Sequence, residues 1–153
     1  MRRKDREITD RADMLGILDR SPVIHLGLAG EDGPYVVPLS FGWEERDGQV
    51  VLYVHGAMEG RRHTMLAQDN RVAVAADYFD RYVEGPGGIS CVYESVMGEG
   101  VAEPVTGAEA LHGMDCILSH CGYPGYQCPG NAMAHTSLWR ITLHSLTGKR
   151  RQG

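Results

Sequence analysis

A short segment rich in histidine, glycine and arginine contains the residue types that bind an anion. His55 is followed by the small residues Gly56 and Ala57, and Arg61–Arg62 come directly after Gly60. A helix that begins at this glycine would present unpaired backbone N–H groups and the positive end of its dipole. Two arginines there could bind a phosphate, and the alternative that they are ordinary solvated charges is left open by spacing alone.

Simple energetics indicate what kind of ligand such a phosphate site would hold. Each charge-assisted hydrogen bond contributes about 1.5–3 kcal/mol, so that two of them supply about 3–6 kcal/mol. Micromolar binding requires about 8 kcal/mol. The remainder has to come from burial of an apolar or aromatic part of the ligand. The segment therefore predicts a ligand with a phosphate tail on a flat ring.

A second group of reactive residue types follows in the C-terminal third of the chain. Its members are cysteines and histidines, namely Cys116, Cys121, Cys128, His112, His120 and His135. Their spacing lacks the paired C-x2-C pattern that is typical of structural zinc sites. Cys116 also falls within a predicted amphipathic helix, where a free cysteine most often acts as a small buried hydrophobe. The sequence therefore predicts no metal site.

Length and composition limit the class of protein. The chain has 153 residues and 42% hydrophobic residues against 23% charged ones, which predicts a single domain over residues 1–153. The net charge of −5 argues against general attraction to nucleic acid or to an anionic membrane. Neither a signal peptide nor an apolar run of about 20 residues is found, and the four cysteines are too sparse for a disulfide scaffold. A cytoplasmic protein with reduced cysteines is expected.

The periodicity of apolar residues predicts the elements that position these groups. In chain order these are a helix over residues 10–21, strands over 23–29, 35–43 and 49–55, a short helix over 61–68, a strand over 71–77, a loop over 78–88, a strand over 90–103, a helix over 106–121 and a strand over 138–146. Pro38 predicts an edge strand or a bulge, and Gly98 and Gly100 predict bulges or bends. The basic residues 149–151 are expected to form a solvated terminus. The order favours a mainly β barrel with peripheral helices.

Four sequence blocks resemble those of a known family and occur in the same order. They are PYVVPLSF at 34–41, HGAMEGRR at 55–62, YESVMGEG at 93–100 and LTGK at 146–149. Together they are similar to the flavin-nucleotide-binding branch of the pyridoxamine 5′-phosphate oxidase-like family, and specifically to its nitroimidazole-resistance proteins. The resemblance implies an FMN-binding split β-barrel, a homodimer with FMN in a cleft between subunits, and flavin-dependent reduction of nitroimidazoles or other small electron-poor aromatics.

The resemblance also implies roles for individual residues. The isoalloxazine ring of FMN would lie beside Leu39, Ser40 and Phe41, and the pocket wall would include His55, Gly56 and Ala57. The phosphate would bind to Gly60, Arg61 and Arg62. Tyr93 and Ser95 would also lie near the flavin. His55 is the candidate catalytic residue, because a histidine can donate a proton near neutral pH. A purely structural strand-end histidine is the alternative.

Two other functional interpretations remain open at the level of the sequence. One is a non-catalytic flavin- or haem-binding protein for storage or stress protection, since the chain has seven histidines and the resemblance extends to haem-binding split barrels. The other is a reductase that uses a deazaflavin, although the short pair Arg61–Arg62 suits one phosphate better than a long acidic tail. A copurifying chromophore would distinguish these three cofactors by its spectrum.

Overall fold

A computed structural model describes residues 2–153, and the strands in this range form one antiparallel sheet. The strands are β1 (Glu7–Ile8), β2 (Ile24–Leu28), β3 (Tyr35–Leu39), β4 (Phe41–Arg46), β5 (Gln49–Ala57), β6 (Arg71–Gly85), β7 (Gly88–Val105) and β8 (Thr136–Arg151). The helices are α1 (Arg11–Arg20), α2 (Arg61–Gln68), α3 (Gly107–His120) and α4 (Gly130–Ala134), with a short 3-10 turn at Lys4–Arg6. None of these helices is long and apolar enough to cross a membrane.

The order of the strands explains how the sheet closes. Neighbouring strands follow the order β3-β2-β6-β7-β8-β5-β4, and β1 pairs with β8. The first and last strands of this order, β3 and β4, are separated in the sequence only by Ser40. The two edges of the sheet must therefore meet, which gives a barrel with helices around it.

Strand β5 is buried on both of its faces, and this accounts for its continuous apolar sequence. Val50, Leu52 and Val54 belong to the main core cluster inside the barrel. Val51 and Tyr53 belong to a second cluster beneath α3. Alternate residues of a strand point to opposite faces, so an apolar run without polar alternation is expected where both faces are covered.

Helix α1 begins and ends where its sequence predicts. The Asp10 carboxylate accepts hydrogen bonds from the backbone N–H groups of Ala12 and Asp13, at 2.7 and 3.2 Å. Such a side-chain cap stabilises a helix by about 1 kcal/mol. The helix buries Ile17 and Leu18 against the barrel. These local signals confirm the predicted first helix.

Helix α3 lies in direct backbone contact with β4 because of two glycines. A Cβ atom at Gly42 would lie 2.2 Å from the carbonyl carbon of Cys116, and one at Gly113 would lie 2.7 Å from the Tyr53 ring. Real Cβ atoms essentially never approach so closely, so a larger residue at either position would displace the helix. These glycines therefore set the distance between the helix and the sheet.

The predicted loop over residues 78–88 is wrong. Strands β6 and β7 form a long hairpin here, with Tyr78 opposite Glu94 and Tyr82 opposite Cys91. Most of the outer part of the hairpin is exposed on both faces, so its sequence lacks the alternation of apolar and polar residues that marks a half-buried strand. Its stability comes instead from cross-strand pairs and from aromatic contacts such as Phe79 with Tyr82, whose ring centroids are 4.9 Å apart.

Other strand predictions are confirmed in part. The strand predicted over residues 35–43 is interrupted at Ser40. The last strand continues through the basic residues to Arg151, so the expected solvated terminus is wrong. These basic residues are held by pairing with β7. Pro38 lies in β3, which pairs only with β2 among the described strands, as an edge position requires. The register shift between Glu99 and Gly100 is the predicted bulge.

Candidate functional site

A hydrogen bond from a side chain at the start of α2 to the backbone at the end of β5 joins these two elements. The Arg62 guanidinium turns back and its Nη2 donates a hydrogen bond to the carbonyl oxygen of His55, at 3.1 Å. A Cβ atom at Gly56 would lie only 1.8 Å from this Nη2. The guanidinium thus occupies the space that a side chain at position 56 would fill, and glycine is the residue that permits the contact.

The first turn of α2 has the geometry expected of an anion site. Gly60 precedes the helix with φ of 121°, a backbone conformation that favours glycine. The turn contains no acidic residue, and no side chain caps its N–H groups. The guanidinium carbon of Arg61 lies 4.4 Å from the centre of the Tyr35 ring, a cation–π contact that orients it beside β3. Backbone N–H groups and two cations therefore converge at this turn.

The charges of this turn are not neutralised within the described chain. Within residues 2–153, neither Arg61 nor Arg62 forms an ion pair with a carboxylate. Burial lowers the pKa of the Arg62 guanidinium from its ordinary value. A partly desolvated cation without a counter-ion is unfavourable until an anion binds beside it. The residues predicted to bind phosphate thus fit an anionic group.

His55 lies beside this cation and is half-buried at the end of β5. Burial, and then the positive charge of Arg62, lower the pKa of its imidazole below the ordinary 6.5. The ring is therefore neutral at pH 7 in the free chain. Its Nδ1 atom is buried and has no hydrogen-bond partner within residues 2–153, so it is available to a ligand or a water molecule.

Unpartnered polar atoms occur on both faces of the sheet near the end of β5, because His55 pairs with Leu138 of the cluster beneath α3 whereas Trp139 belongs to the core inside the barrel. Of the four buried side-chain polar atoms that lack a partner within residues 2–153, three belong to His55, His63 and Trp139. The rings of His63 and Trp139 meet edge to face, with centroids 5.6 Å apart. Buried polar groups are usually hydrogen-bonded, and exceptions call for an explanation such as a missing ligand or water. The unpartnered Nδ1 of His55, next to Arg62, is the one of these atoms that supports a ligand at the predicted site.

Three residues at this site carry no signal in the local sequence. The Ser137 hydroxyl donates to the carbonyl oxygens of Gly56 and Ala57, at 3.1 and 2.8 Å, and so fixes the end of β5. Tyr35 and Trp139 reach the site from β3 and β8. All three arrive through strand pairing or barrel closure over long sequence separations, which spacing within one segment does not indicate.

The predicted ring-binding segment adjoins the same end of β5. Phe41 pairs with Val54, the residue before His55, so Leu39 and Ser40 lie at the same end of the barrel. The Phe41 side chain is fully buried and packs on the His120 ring at 4.3 Å between centroids. Ser40 and the half-buried Leu39 can therefore offer side chains to a ligand, whereas Phe41 can offer only its backbone.

Tyr93 and Ser95 do not join the other predicted site residues within one chain. Ser95 pairs with Lys149 of β8, whereas His55 pairs with Leu138 of the same strand. These two positions of β8 are eleven residues apart, on the order of 30 Å of extended strand. The predicted residues thus divide into two groups at opposite ends of β8.

The cavity beside α2 is small for a ring-bearing ligand. It measures about 250 Å³ and is lined by the β2–β3 turn together with Arg61, Thr64, Met65 and Gln68. Pockets for ligands of this size usually measure about 300–1,000 Å³. Its lining includes Arg61 but not His55 or Arg62, so this cavity borders the predicted flavin site and does not enclose it.

Comparison with protein families gives one match, which covers most of the chain. Residues 10–150 match the family described as pyridoxamine 5′-phosphate oxidase. No protein with a curated description is significantly similar in sequence.

Solved structures share the architecture over nearly the whole chain. A candidate 5-nitroimidazole antibiotic resistance protein from Bacteroides thetaiotaomicron is 28% identical, with a TM-score of 0.83, and the match covers 94% of this chain and 85% of that one. A flavocytochrome from Azotobacter vinelandii has 22% identity and a TM-score of 0.81, covering 100% and 72% of the two chains. An FAD and heme binding protein from Mycobacterium smegmatis has 21% identity and a TM-score of 0.80, covering 97% and 74%. The predicted barrel with peripheral helices is confirmed.

Proposed function

Because the chain belongs to the pyridoxamine 5′-phosphate oxidase family and has its split β-barrel fold, we propose that it is a flavoprotein that binds FMN. The observation that carries the proposal is the half-buried Arg62, which lies without a carboxylate partner at a glycine-led helix start. Its guanidinium, Arg61 and the N–H groups of the first turn would bind the phosphate. Charge-assisted bonds of this kind supply about 1.5–3 kcal/mol each.

FMN suits this site better than a dinucleotide flavin on grounds of charge. The cradle presents two adjacent cations and one helix start, which match a single phosphate group. The flavin ring would extend from it past His55 toward Ser40 and Leu39. Apolar burial of the ring would supply the affinity that the phosphate alone cannot give.

A homodimer would complete the flavin site. Tyr93 and Ser95 lie at the other end of β8 from His55, so one chain does not bring all the predicted flavin residues together. A second copy related by a two-fold axis would bring its own Tyr93 and Ser95 to the ring. Such an isologous arrangement is the commonest for homodimers and yields two equivalent sites.

We propose reduction of small electron-poor aromatics, nitroimidazoles among them, as the activity. Support comes from the likeness to the candidate 5-nitroimidazole resistance protein at 28% identity. Bound FMN would supply the redox chemistry as a carrier of hydride equivalents. His55 would hold a proton on its imidazole next to the ring and pass it to the substrate. A phosphate beside Arg62 would offset the positive charge that lowers the pKa of this imidazole.

Two measurements on the purified full-length protein test the proposal. The absorbance spectrum and the mass of the copurifying small molecule are expected to be those of FMN, whereas a Soret band would identify haem and overturn it. The reduced holoprotein is then mixed anaerobically with a nitroimidazole. Reoxidation faster than that of free reduced FMN supports the reductase, and no acceleration limits the protein to flavin storage. His55→Gln with FMN retained and reoxidation unchanged would remove the proton-donor role.

A further inference from the structure

Helix α3 presents two metal-binding side chains to one carboxylate of the sheet. His112 and Cys116 are four residues apart, so they lie on the same face of the helix one turn apart. The His112 Nε2 atom is 2.8 Å from Glu44 Oε2 and 3.6 Å from Cys116 Sγ. All three potential ligand atoms lie within 4.8 Å of one another. The cluster is separate from the α2 cradle in sequence and in its elements.

The close docking of α3 brings these groups together. Gly42 and Glu44 are two residues apart on β4 and therefore point to the same face of the strand. The missing side chain of Gly42 lets the backbone of Cys116 rest on the strand, and the Glu44 carboxylate then meets the next turn of the helix at His112. The geometry of the cluster is thus set by backbone contact and does not depend on flexible side chains alone.

The Glu44 carboxylate is oriented so that one oxygen remains for a ligand. Its Oε1 atom accepts hydrogen bonds from the Tyr53 hydroxyl and from Arg46 Nη2, both at 2.9 Å. Its Oε2 atom faces His112. Arg46 is also paired with Glu109, so its charge is largely compensated. Outer hydrogen bonds of this kind hold the first-shell ligands of metal sites in place.

The arrangement does not suit a cysteine nucleophile activated by a histidine. In such a relay the thiol and the carboxylate contact different ring nitrogens, so that one nitrogen accepts a proton while the other is oriented. Here both Cys116 and Glu44 contact the same atom, His112 Nε2. Three ligand atoms that converge on one point are instead the arrangement that a cation requires.

We infer that Glu44, His112 and Cys116 form a site for a divalent transition-metal ion such as Zn²⁺. With Zn–N of about 2.0–2.1 Å and Zn–S of about 2.3 Å, a tetrahedral site has an N–S edge of about 3.5 Å, close to the observed 3.6 Å. The N–O edge would open by about 0.5 Å from its hydrogen-bonded length. On binding, the Cys116 thiol releases its proton to solvent, and neutral His112 ligates through the Nε2 lone pair.

The fourth position of the ion would be open to water or to a small anionic ligand. A cavity of about 480 Å³ adjoins His112 and Cys116, and Asp19, Trp43, Asp115, Ser119 and His120 complete its lining. Three protein ligands with an open position are typical of catalytic zinc sites, whereas structural sites have four protein ligands. The carboxylates of Asp19 and Asp115 would favour approach of the cation.

Cobalt substitution tests the site directly. The full-length protein is treated with a chelator, desalted under reducing conditions and titrated with Co²⁺, then with Zn²⁺. We expect an intense thiolate-to-cobalt charge-transfer band, tetrahedral ligand-field bands at one equivalent, and displacement by Zn²⁺. Cys116→Ser should abolish the charge-transfer band, and His112→Gln should weaken Co²⁺ binding by at least about 100-fold. Tyr53→Phe, which loosens Glu44, should weaken it by about 10-fold.

Cys121→Ser is the matched control, because Cys121 is an exposed cysteine at the end of the same helix and outside the cluster. It should leave the titration unchanged. Thermal melting and circular dichroism of each variant establish that it is folded, and Cys116→Ala serves in place of a Cys116→Ser variant that does not fold. Absence of a thiolate band in the native protein, or its survival in Cys116→Ser, overturns the inference. So does its loss in Cys121→Ser.

Discussion

Two regions of the molecule hold their arginines in opposite ways. On the face covered by α3, the Glu109 carboxylate accepts hydrogen bonds from Arg46 at 3.1 Å and from Arg140 at 2.7 Å. At the start of α2, Arg61 and Arg62 contact a ring and a backbone carbonyl, and no ion pair of theirs is found in the described range 2–153. The first region is internally neutralised, and the second keeps its positive charge available.

The difference distinguishes charges that stabilise the fold from charges that remain available to a ligand. The hydrogen bond from Arg140 holds the pKa of the Glu109 carboxyl below its usual range, which shows that the folded state favours the charged pair. At α2 the opposite holds, because burial disfavours the Arg62 cation. A partly buried cation without a counter-ion lowers stability until an anion binds beside it, so this turn favours the binding of an anion. Four substitutions examine this contrast.

The largest expected effect is on the docking of α3. Gly42→Ala would place a Cβ 2.2 Å from the Cys116 backbone, where neither helix nor strand can yield without a shift. Overpacking of this kind costs about 3 kcal/mol of the free energy of unfolding, measured by urea denaturation. Gly27→Ala is the matched control, since a Cβ there meets its nearest atom at 3.5 Å. Equal losses in the two variants would contradict the claim that backbone contact positions the helix.

Arg62→Ala tests the binding half of the contrast. Loss of charge-assisted bonds worth about 1.5–3 kcal/mol should weaken FMN binding by about 10- to 100-fold, measured by fluorescence titration of the apoprotein. The free energy of unfolding of the apoprotein should change by less than about 1 kcal/mol, because an uncompensated cation is removed along with one hydrogen bond. Arg62→Lys should retain part of the affinity through its charge.

The control for Arg62 is Arg11→Ala, which removes an exposed arginine paired with Glu45. It should leave FMN affinity unchanged. If Arg62→Ala still binds FMN tightly and loses much of its unfolding free energy, then Arg62 stabilises the fold and does not bind the ligand.

Arg46→Ala should give the reverse pattern. It removes hydrogen bonds to Glu44, Tyr53 and Glu109 that are partly exposed, so we expect a loss of about 1 kcal/mol in unfolding free energy. FMN affinity should not change, because the network lies beneath α3 and away from the α2 cradle. A drop in FMN affinity without destabilisation would erase the distinction between the two regions.

Local signals in the sequence predict most of the elements and the helix start that carries Arg61 and Arg62. The Asp10 cap, the edge position of Pro38 and the glycine-led start of α2 each depend on a few consecutive residues, and the structure agrees with all three. The order of the elements favours a barrel with peripheral helices, and the resemblance to a family specifies a split β-barrel. The sequence predicts these features because backbone geometry and capping depend on one or two turns of chain.

Features formed by distant segments cannot be predicted from local sequence in the same way. Glu44 and His112 are 68 residues apart, and nothing near either residue indicates that a glycine contact will bring them together. Spacing among the histidines and cysteines does not indicate the cluster, because its third potential ligand is a carboxylate from a strand. The β6–β7 hairpin was missed for a related reason, since its pairing partners, such as Tyr78 and Glu94, stabilise each other across the sheet.

The smallest expected effect concerns pH and follows from His55. Its pKa in the folded chain lies below the ordinary 6.5 because of burial and of Arg62, so the unfolded chain binds its proton more readily. Stability from this group is therefore complete above about pH 6.5 and is lost as pH falls through the lower, folded-state pKa. The difference in unfolding free energy between native protein and His55→Gln should diminish or reverse from pH 7.5 to pH 5. His144→Gln, at an exposed position of β8, is the control and should follow the native curve. Saturating FMN should flatten this dependence, because a phosphate beside Arg62 offsets one cause of the shift. An identical slope with and without FMN would place the phosphate away from Arg62 and His55.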